Sequence, residues 1–299
     1  MKVHLYDFRW TDPSTIEFQA SNGERFGRKA LQHGADLSIK VVSQDVACAG
    51  SSRDGVWQPC PQKVTGRKKC ETCRNREGNF VVTSFDGFNT DMFTPQDLAR
   101  LEGPHVVYLA LFDKGLKKVG VSKAERKIMR QVEQGSQHTL FIAQTPDGIL
   151  ARQLETCLRQ AGLADKIQAR TKKDFVCPEL SSQEGKTELL ETLNTFKTGL
   201  DRHPELQKFL LPEPEFIDWS ETYKLEAVQQ NSKPLHLVHL EPEESVTGKI
   251  LAMKGPFLML ETPDEIVCLC AKDLVGYQLD FTPGPPGLHL NSALQNALF

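Results

Sequence analysis

The sequence predicts an α+β protein: a small central three-stranded sheet with helices, an N-terminal ribbon-like β unit held by cysteines, and a C-terminal small β-barrel or meander. Three observations carry this. The continuous apolar run 106–112 is followed by a turn, a second short strand and helix-period segments. Four of the eight cysteines fall between positions 48 and 73. From residue 234 onward, short apolar strands alternate with turns rich in Gly, Pro and Asp.

The elements follow in chain order. Residues 1–45 hold short apolar–polar alternations at 14–19 and 37–41, which read as strands of a small antiparallel unit. Residues 46–78 are poor in apolar side chains and rich in Cys, Gly, Pro, Lys and Arg, so this stretch needs a staple. Thr94-Pro95 starts a helix, with threonine as cap and proline at the first position. The run 106–112, the turn Asp113-Lys114-Gly115 and the strand 118–121 make a hairpin. Ser122-Lys123-Ala124-Glu125 has the form of a capping box, predicting a helix from about Lys123 that ends at Gly135. A third strand covers 139–143. A second helix carries Leu150, Leu154 and Leu158 on one face and stops at Gly162.

Residues 180–232 read as helical, opened by the capping box Ser181–Glu184 and striped with Leu189, Leu190, Leu193, Phe196 and Leu200, a face that packs on the preceding domain. Strands are then expected at 235–240, 248–253, 257–261, 266–270 and 275–281. The division is 1–104, an N-terminal β unit with the cysteines; 105–165, an α/β domain; 166–233, a helical segment; 234–285, a C-terminal β domain; and 286–299, a mobile tail.

Composition narrows the function classes. The chain has 299 residues, 39% hydrophobic and 25% charged, with a formal net charge of -3. Any nucleic-acid contact must therefore rest on local basic patches. No apolar run reaches membrane-span length, and the opening Met1-Lys2-Val3-His4 lacks a secretory core, so a cytoplasmic location is expected. Cytosolic thiols stay reduced, so clustered cysteines point to metal.

The cluster is spaced Cys48-x11-Cys60-x9-Cys70-x2-Cys73. Four thiolates are the closed tetrahedral shell of structural zinc, and about one zinc per chain is expected. Four unrelated free cysteines and a redox Cys-x2-Cys are the alternatives. Around them lie Lys63, Arg67, Lys68, Lys69, Arg74 and Arg76, against Glu71 alone. Such a patch suits a phosphate backbone, although charge runs are more often solvated faces.

The second constellation is Val106-Val107-Tyr108, Lys118-Val119-Gly120, Arg130 and Glu155. Taken singly, Tyr108 reads as core, Arg130 as a helix cation, Glu155 as the partner of Arg159 four residues on, Gly120 as a turn or bulge residue, and His138 as structural or exposed. Together and in this order they resemble the GIY-YIG nuclease superfamily over about 55 residues. The whole chain also resembles the bacterial domain of unknown function (DUF) family 2797, with upstream cysteines, central Lys-Val-Gly and Gln-Gly segments and a C-terminal strand carrying Lys-Gly.

The superfamily resemblance implies two neighbouring strands bearing the namesake tripeptides, and a metal-dependent endonuclease. Tyr108 and Gly120 match the ends of the two tripeptides. Arg130, in preference to Arg126, matches the helical arginine, and Glu155 matches the ligand of one magnesium or manganese ion. Tyr108 then handles the proton or contacts phosphate, Arg130 clamps phosphate with its planar fork, and Gly120 lets phosphate approach the backbone. Lys118 departs from the pattern, standing where the second tripeptide begins with tyrosine. A lysine contacts phosphate but does not replace a hydroxyl in proton transfer unless burial lowers its pKa. Three function classes follow: an endonuclease acting on DNA or RNA, a non-catalytic nucleic-acid-binding protein, and a protein-interaction scaffold.

Overall fold

A computed structural model describes residues 2–22, 24–53, 56–60, 62–64, 68–77, 85–164, 167 and 176–291. The chain divides into two compact units, residues 1–78 with 222–299, and residues 79–221 between them.

The first unit opens with strands β1 (Lys2–Asp12), β2 (Thr15–Ser21), β3 (Phe26–Gln32) and β4 (Asp36–Ser43), then a short hairpin, β5 (Ser51–Arg53) and β6 (Val56–Gln58), and a helix α1 (Glu71–Glu77). The second unit holds α2 (Pro95–Leu101), β7 (His105–Asp113), β8 (Leu116–Lys123), α3 (Lys127–Gln134), β9 (His138–Thr145), α4 (Gly148–Gln160), α5 (Ser182–Phe196) and β10 (Leu210–Asp218). The first unit resumes with β11 (Leu235–Val238), β12 (Ser245–Lys254), β13 (Phe257–Glu261), β14 (Ile266–Cys270), β15 (Gln278–Asp280) and β16 (Gly287–His289).

The expected N-terminal and C-terminal β units are one structure. Their strands form a ten-stranded sheet in the order β11-β14-β13-β12-β4-β15-β1-β2-β3, with β16 also on β12. β4 is the seam, pairing with β12 through Leu37↔Gly248 and with β15 through Val41↔Leu279. Alternation in each strand identifies the inward face, here Leu5, Ile16, Phe18, Ile39, Val246 and Ile250, all buried. It does not identify the partner strand, so a closed C-terminal barrel and a shared open sheet have the same sequence signature. Trp10 adds a further tie, its indole N–H donating to Gly255 O at 2.8 Å. The expected tail is in part β16, paired with β12 through Val246↔Leu288. Residues 292–299 lie outside the described residues.

In the second unit the sheet runs β10-β9-β7-β8. β7 is central and covered on both faces, which is why its sequence is continuously apolar. Val107, Leu109 and Leu111 join Leu140, Ile142, Leu154, Leu158, Leu189 and Leu193 in one core. Val106, Tyr108, Ala110 and Phe112 join Phe141 in a second core. The stripe packs as expected, with Leu189 and Leu193 on α5 and Leu200 in the 3-10 turn after it buried.

Two local expectations give way to sheet pairing. Ser122 and Lys123 do not begin a helix. They pair with Val106 and His105 as the end of β8, a 3-10 turn covers Ala124–Arg126, and α3 starts at Lys127 without a side-chain cap. The segment read as helical to 232 contains β10, where Pro212 and Pro214 forbid helix. β10 is an edge strand on β9, and its register breaks between Leu210 and Glu215, across the prolines. The capping boxes Thr94/Asp97 and Ser181/Glu184 are both formed, and Gly135 closes α3 at φ 72°. Ser181→Ala is expected to cost about 1 kcal/mol through the lost cap on α5. Urea unfolding should show an earlier midpoint with an unchanged slope, and an unshifted midpoint would remove the cap from the account.

No helix among the described residues is long and apolar enough to cross a membrane.

Candidate metal centre and candidate active site

The cysteine cluster assembles in the first unit. Cys70 immediately precedes α1 and Cys73 lies in its first turn, so the Cys-x2-Cys pair straddles a helix start. Cys48 is brought in by backbone pairing, its N–H donating to Gln62 O at 2.8 Å. The four sulfurs lie within 4.8 Å of one another, and Cys48, Cys70 and Cys73 are buried. Cys60 Sγ and Cys70 Sγ are 3.8 Å apart. A tetrahedral ion with metal–sulfur bonds of about 2.3 Å spaces its sulfurs about 3.8 Å apart, whereas a disulfide needs about 2.05 Å.

Backbone N–H donation from Cys73 holds the Cys70 thiol down at about 7, while burial pushes Cys60 and Cys73 up. One sulfur is thus poised to ionise first and anchor a cation such as zinc.

The basic residues nearby do not form one free patch. Lys63 pairs with Asp45 at 3.2 Å and Lys69 with Glu77 at 2.5 Å. Lys68, Arg74 and Arg76 are exposed, and Arg67 lies outside the described residues.

In the second unit, Tyr108 on β7 stands directly opposite Gly120 on β8, and Ala110 opposite Lys118. The four residues therefore share one face of the sheet. The hydroxyl end of the tyrosine ring lies against Gly120, where an added Cβ would come within 2.6 Å of the hydroxyl. Tyr108 and Lys118 are both buried. Burial raises the phenol's pKa; the Arg130 guanidinium and Gln131 amide oppose that rise, and the Glu155 carboxylate adds to it. Tyrosine from β7, arginine from α3 and glutamate from α4 are thus electrostatic neighbours. Arg130 and Gln131 stand by the Tyr108 hydroxyl, yet it makes no hydrogen bond of normal geometry.

Arg130 is exposed, whereas Arg126 points to Glu133 at 2.7 Å. Glu155 is buried and pairs with Arg152, Nη1 to Oε2 at 2.5 Å. Among the described residues, the four cysteines are the sole group of three or more acidic, His or Cys side chains close enough to share an ion. His138 is fully buried, 3.4 Å from Asp218 and stacked on Phe216. Its environment is that of a core residue.

Sequence reasoning missed Gln131 and Arg152. Gln131 follows Arg130 and is buried at the centre of a polar network with Gln134, Ser136 and Thr139. Arg152 stands one helical turn before Glu155, a spacing that puts the two on one face of α4.

A family model described as "Protein of unknown function (DUF2797)" matches residues 61–279 of the chain. No curated protein and no solved structure matches it.

Proposed function

The chain belongs to the DUF2797 family, whose description names no activity, and on that footing we propose that it is a metal-dependent nuclease hydrolysing phosphodiester bonds of DNA or RNA. The observation that carries this reading is the Tyr108 hydroxyl, packed against Gly120, with Arg130 and Glu155 acting on it from two further elements. The strand order, with β7 between β8 and β9, α3 joining the outer pair and α4 following, supports the GIY-YIG resemblance.

In this reading exposed Arg130 grips a phosphate oxygen. The Tyr108 phenol, kept protonated at neutral pH by burial, relays a proton rather than standing as phenolate. Gly120 leaves room beside the ring. Glu155 is a single-carboxylate donor, which suits magnesium or manganese held otherwise by water and substrate phosphate. Such an ion supplies Lewis-acid stabilisation of the developing charge. The four cysteines hold a structural zinc, and Lys68, Arg74 and Arg76 contribute phosphate contacts on their own unit.

A second reading is a nucleic-acid-binding protein without turnover. It is favoured by the Arg152–Glu155 pair, which neutralises the carboxylate, and by the sealed Tyr108 hydroxyl.

Glu155→Ala is expected to abolish magnesium- or manganese-dependent cleavage and leave binding nearly intact, whereas Arg130→Ala lowers both. The assay is a metal titration against several DNA and RNA substrates, wild type beside each variant. Cleavage persisting equally in Glu155→Ala overturns the enzyme reading. Salt-sensitive binding with no cleavage by any variant promotes the second.

A further inference from the structure

We infer that Arg152 is an internal latch on the candidate active site, occupying the Glu155 carboxylate at rest and yielding it to a divalent ion when substrate phosphate arrives. The inference rests on the nuclease reading and goes beyond it by naming a residue that sets metal occupancy.

Ordinary i,i+3 pairs on helices are exposed and weak. Here the Arg152 and Glu155 side chains are only 21% and 10% exposed, and their contact is 2.5 Å. Glu155 also acts on the Tyr108 hydroxyl, so the charge on that carboxylate bears on the rest of the site. A guanidinium and a hydrated divalent ion are alternative counter-ions for one carboxylate, because a cation already paired with it repels the second and offsets its charge.

The helix turn that carries Arg152 is close-packed on one side and faces cations on the other. Gly87, at φ +89°, lies so close to α4 that a Cβ would fall within 2.5 Å of Gln153 N and 2.9 Å of Arg152 C. Its carbonyl accepts from Gln153 Nε2 at 2.9 Å. The segment about Gly87 therefore runs as a strap over the helix turn that carries Arg152. On the other side is a positive neighbourhood. Buried His105, paired across the strands with Lys123, has its pKa lowered mainly by burial, with Lys123 and Arg152 adding to it and Asp147 opposing. Arg130 stands by Tyr108, and beside His105 stand Lys123 and Arg152. The last is the one whose movement towards phosphate uncovers a metal ligand.

The test is manganese binding to the intact chain by electron paramagnetic resonance at pH 8. Arg152→Ala and the more conservative Arg152→Gln should each bind manganese about tenfold more tightly than wild type. Adding Glu155→Gln to either should remove that gain. Circular dichroism melts confirm that the variants are folded, and Arg152→Gln guards against a loss of packing alone. Unchanged affinity in both arginine variants overturns the latch, as does a gain that survives Glu155→Gln. A chain that cleaves nucleic acid while Arg152→Ala binds manganese as wild type does keeps the nuclease reading and loses the latch. A chain that shows the manganese gain but cleaves nothing keeps the latch and loses the nuclease.

Discussion

Cys70→Ser is expected to abolish zinc retention and to release residues 46–77 from their fold. In that segment the buried cluster consists of Cys48, Cys70 and Cys73, with Cys60 and Val64 packed against them. Among the described residues, that cluster holds almost no hydrocarbon to replace a metal. Zinc-finger peptides gain about 10–16 kcal/mol from their ion at neutral pH, and a segment stapled only by thiolates should depend on it similarly. Elemental analysis of protein purified without chelators should find about one zinc per wild-type chain and none in Cys70→Ser. Hydrogen exchange should then quicken over α1 and around Cys48, while the strands β1, β2 and β12 keep their protection. Wild-type protein free of metal, with slow exchange over α1, would mean that the cysteines are packing residues.

The second large effect is expected at the contact of Tyr108 with Gly120. Gly120→Ala should destabilise the second unit by about 1–3 kcal/mol, because the new methyl meets the ring on one side and the β-ladder fixes the other. Tyr108→Phe should be neutral or stabilising by about 1 kcal/mol, since it removes a buried hydroxyl that has no hydrogen bond. In the double variant part of the clash is gone, so the two changes should be non-additive. Urea midpoints of the four proteins give the cycle. If Tyr108→Phe gains stability and loses cleavage, the hydroxyl is retained for function at a cost to the fold. Gly120→Ala as stable as wild type would mean that the ring does not lie where the geometry puts it.

The sequence carried the parts whose cause is local. The central hairpin, the cap residues Thr94 and Ser181, the stop at Gly135 and the cysteine spacing each follow from a few neighbouring residues, and each is found. What was not legible depends on distant pairing. β4 meets β12 and β15 across some two hundred positions, and no pattern in Leu37, Ile39 or Val41 names those partners. Ser122 had a good local reason to cap a helix, and a strand partner overrode it. Pro212 and Pro214 were visible and argue against helix, but the stripe ahead of them drew the helical reading too far. At the candidate site the pairing of Tyr108 with Gly120 follows from the hairpin, whereas the contact of Arg152 with Glu155 depends on side-chain geometry that helical spacing alone does not decide.

The seam at β4 also orders events during synthesis. About 200 residues separate Ser43 from Ser245, where its partner strand begins. At a translation rate of about 5–20 residues per second, the first four strands wait about 10–40 s for β12 to emerge. For that interval the nascent chain presents an unpaired sheet edge. The middle unit is contiguous from 79 to 221 and can complete its core while the flanking sheet is still half made. Ribosome-bound chains stopped before residue 245 should therefore contain a folded interior and an open, chaperone-accessible N-terminal edge.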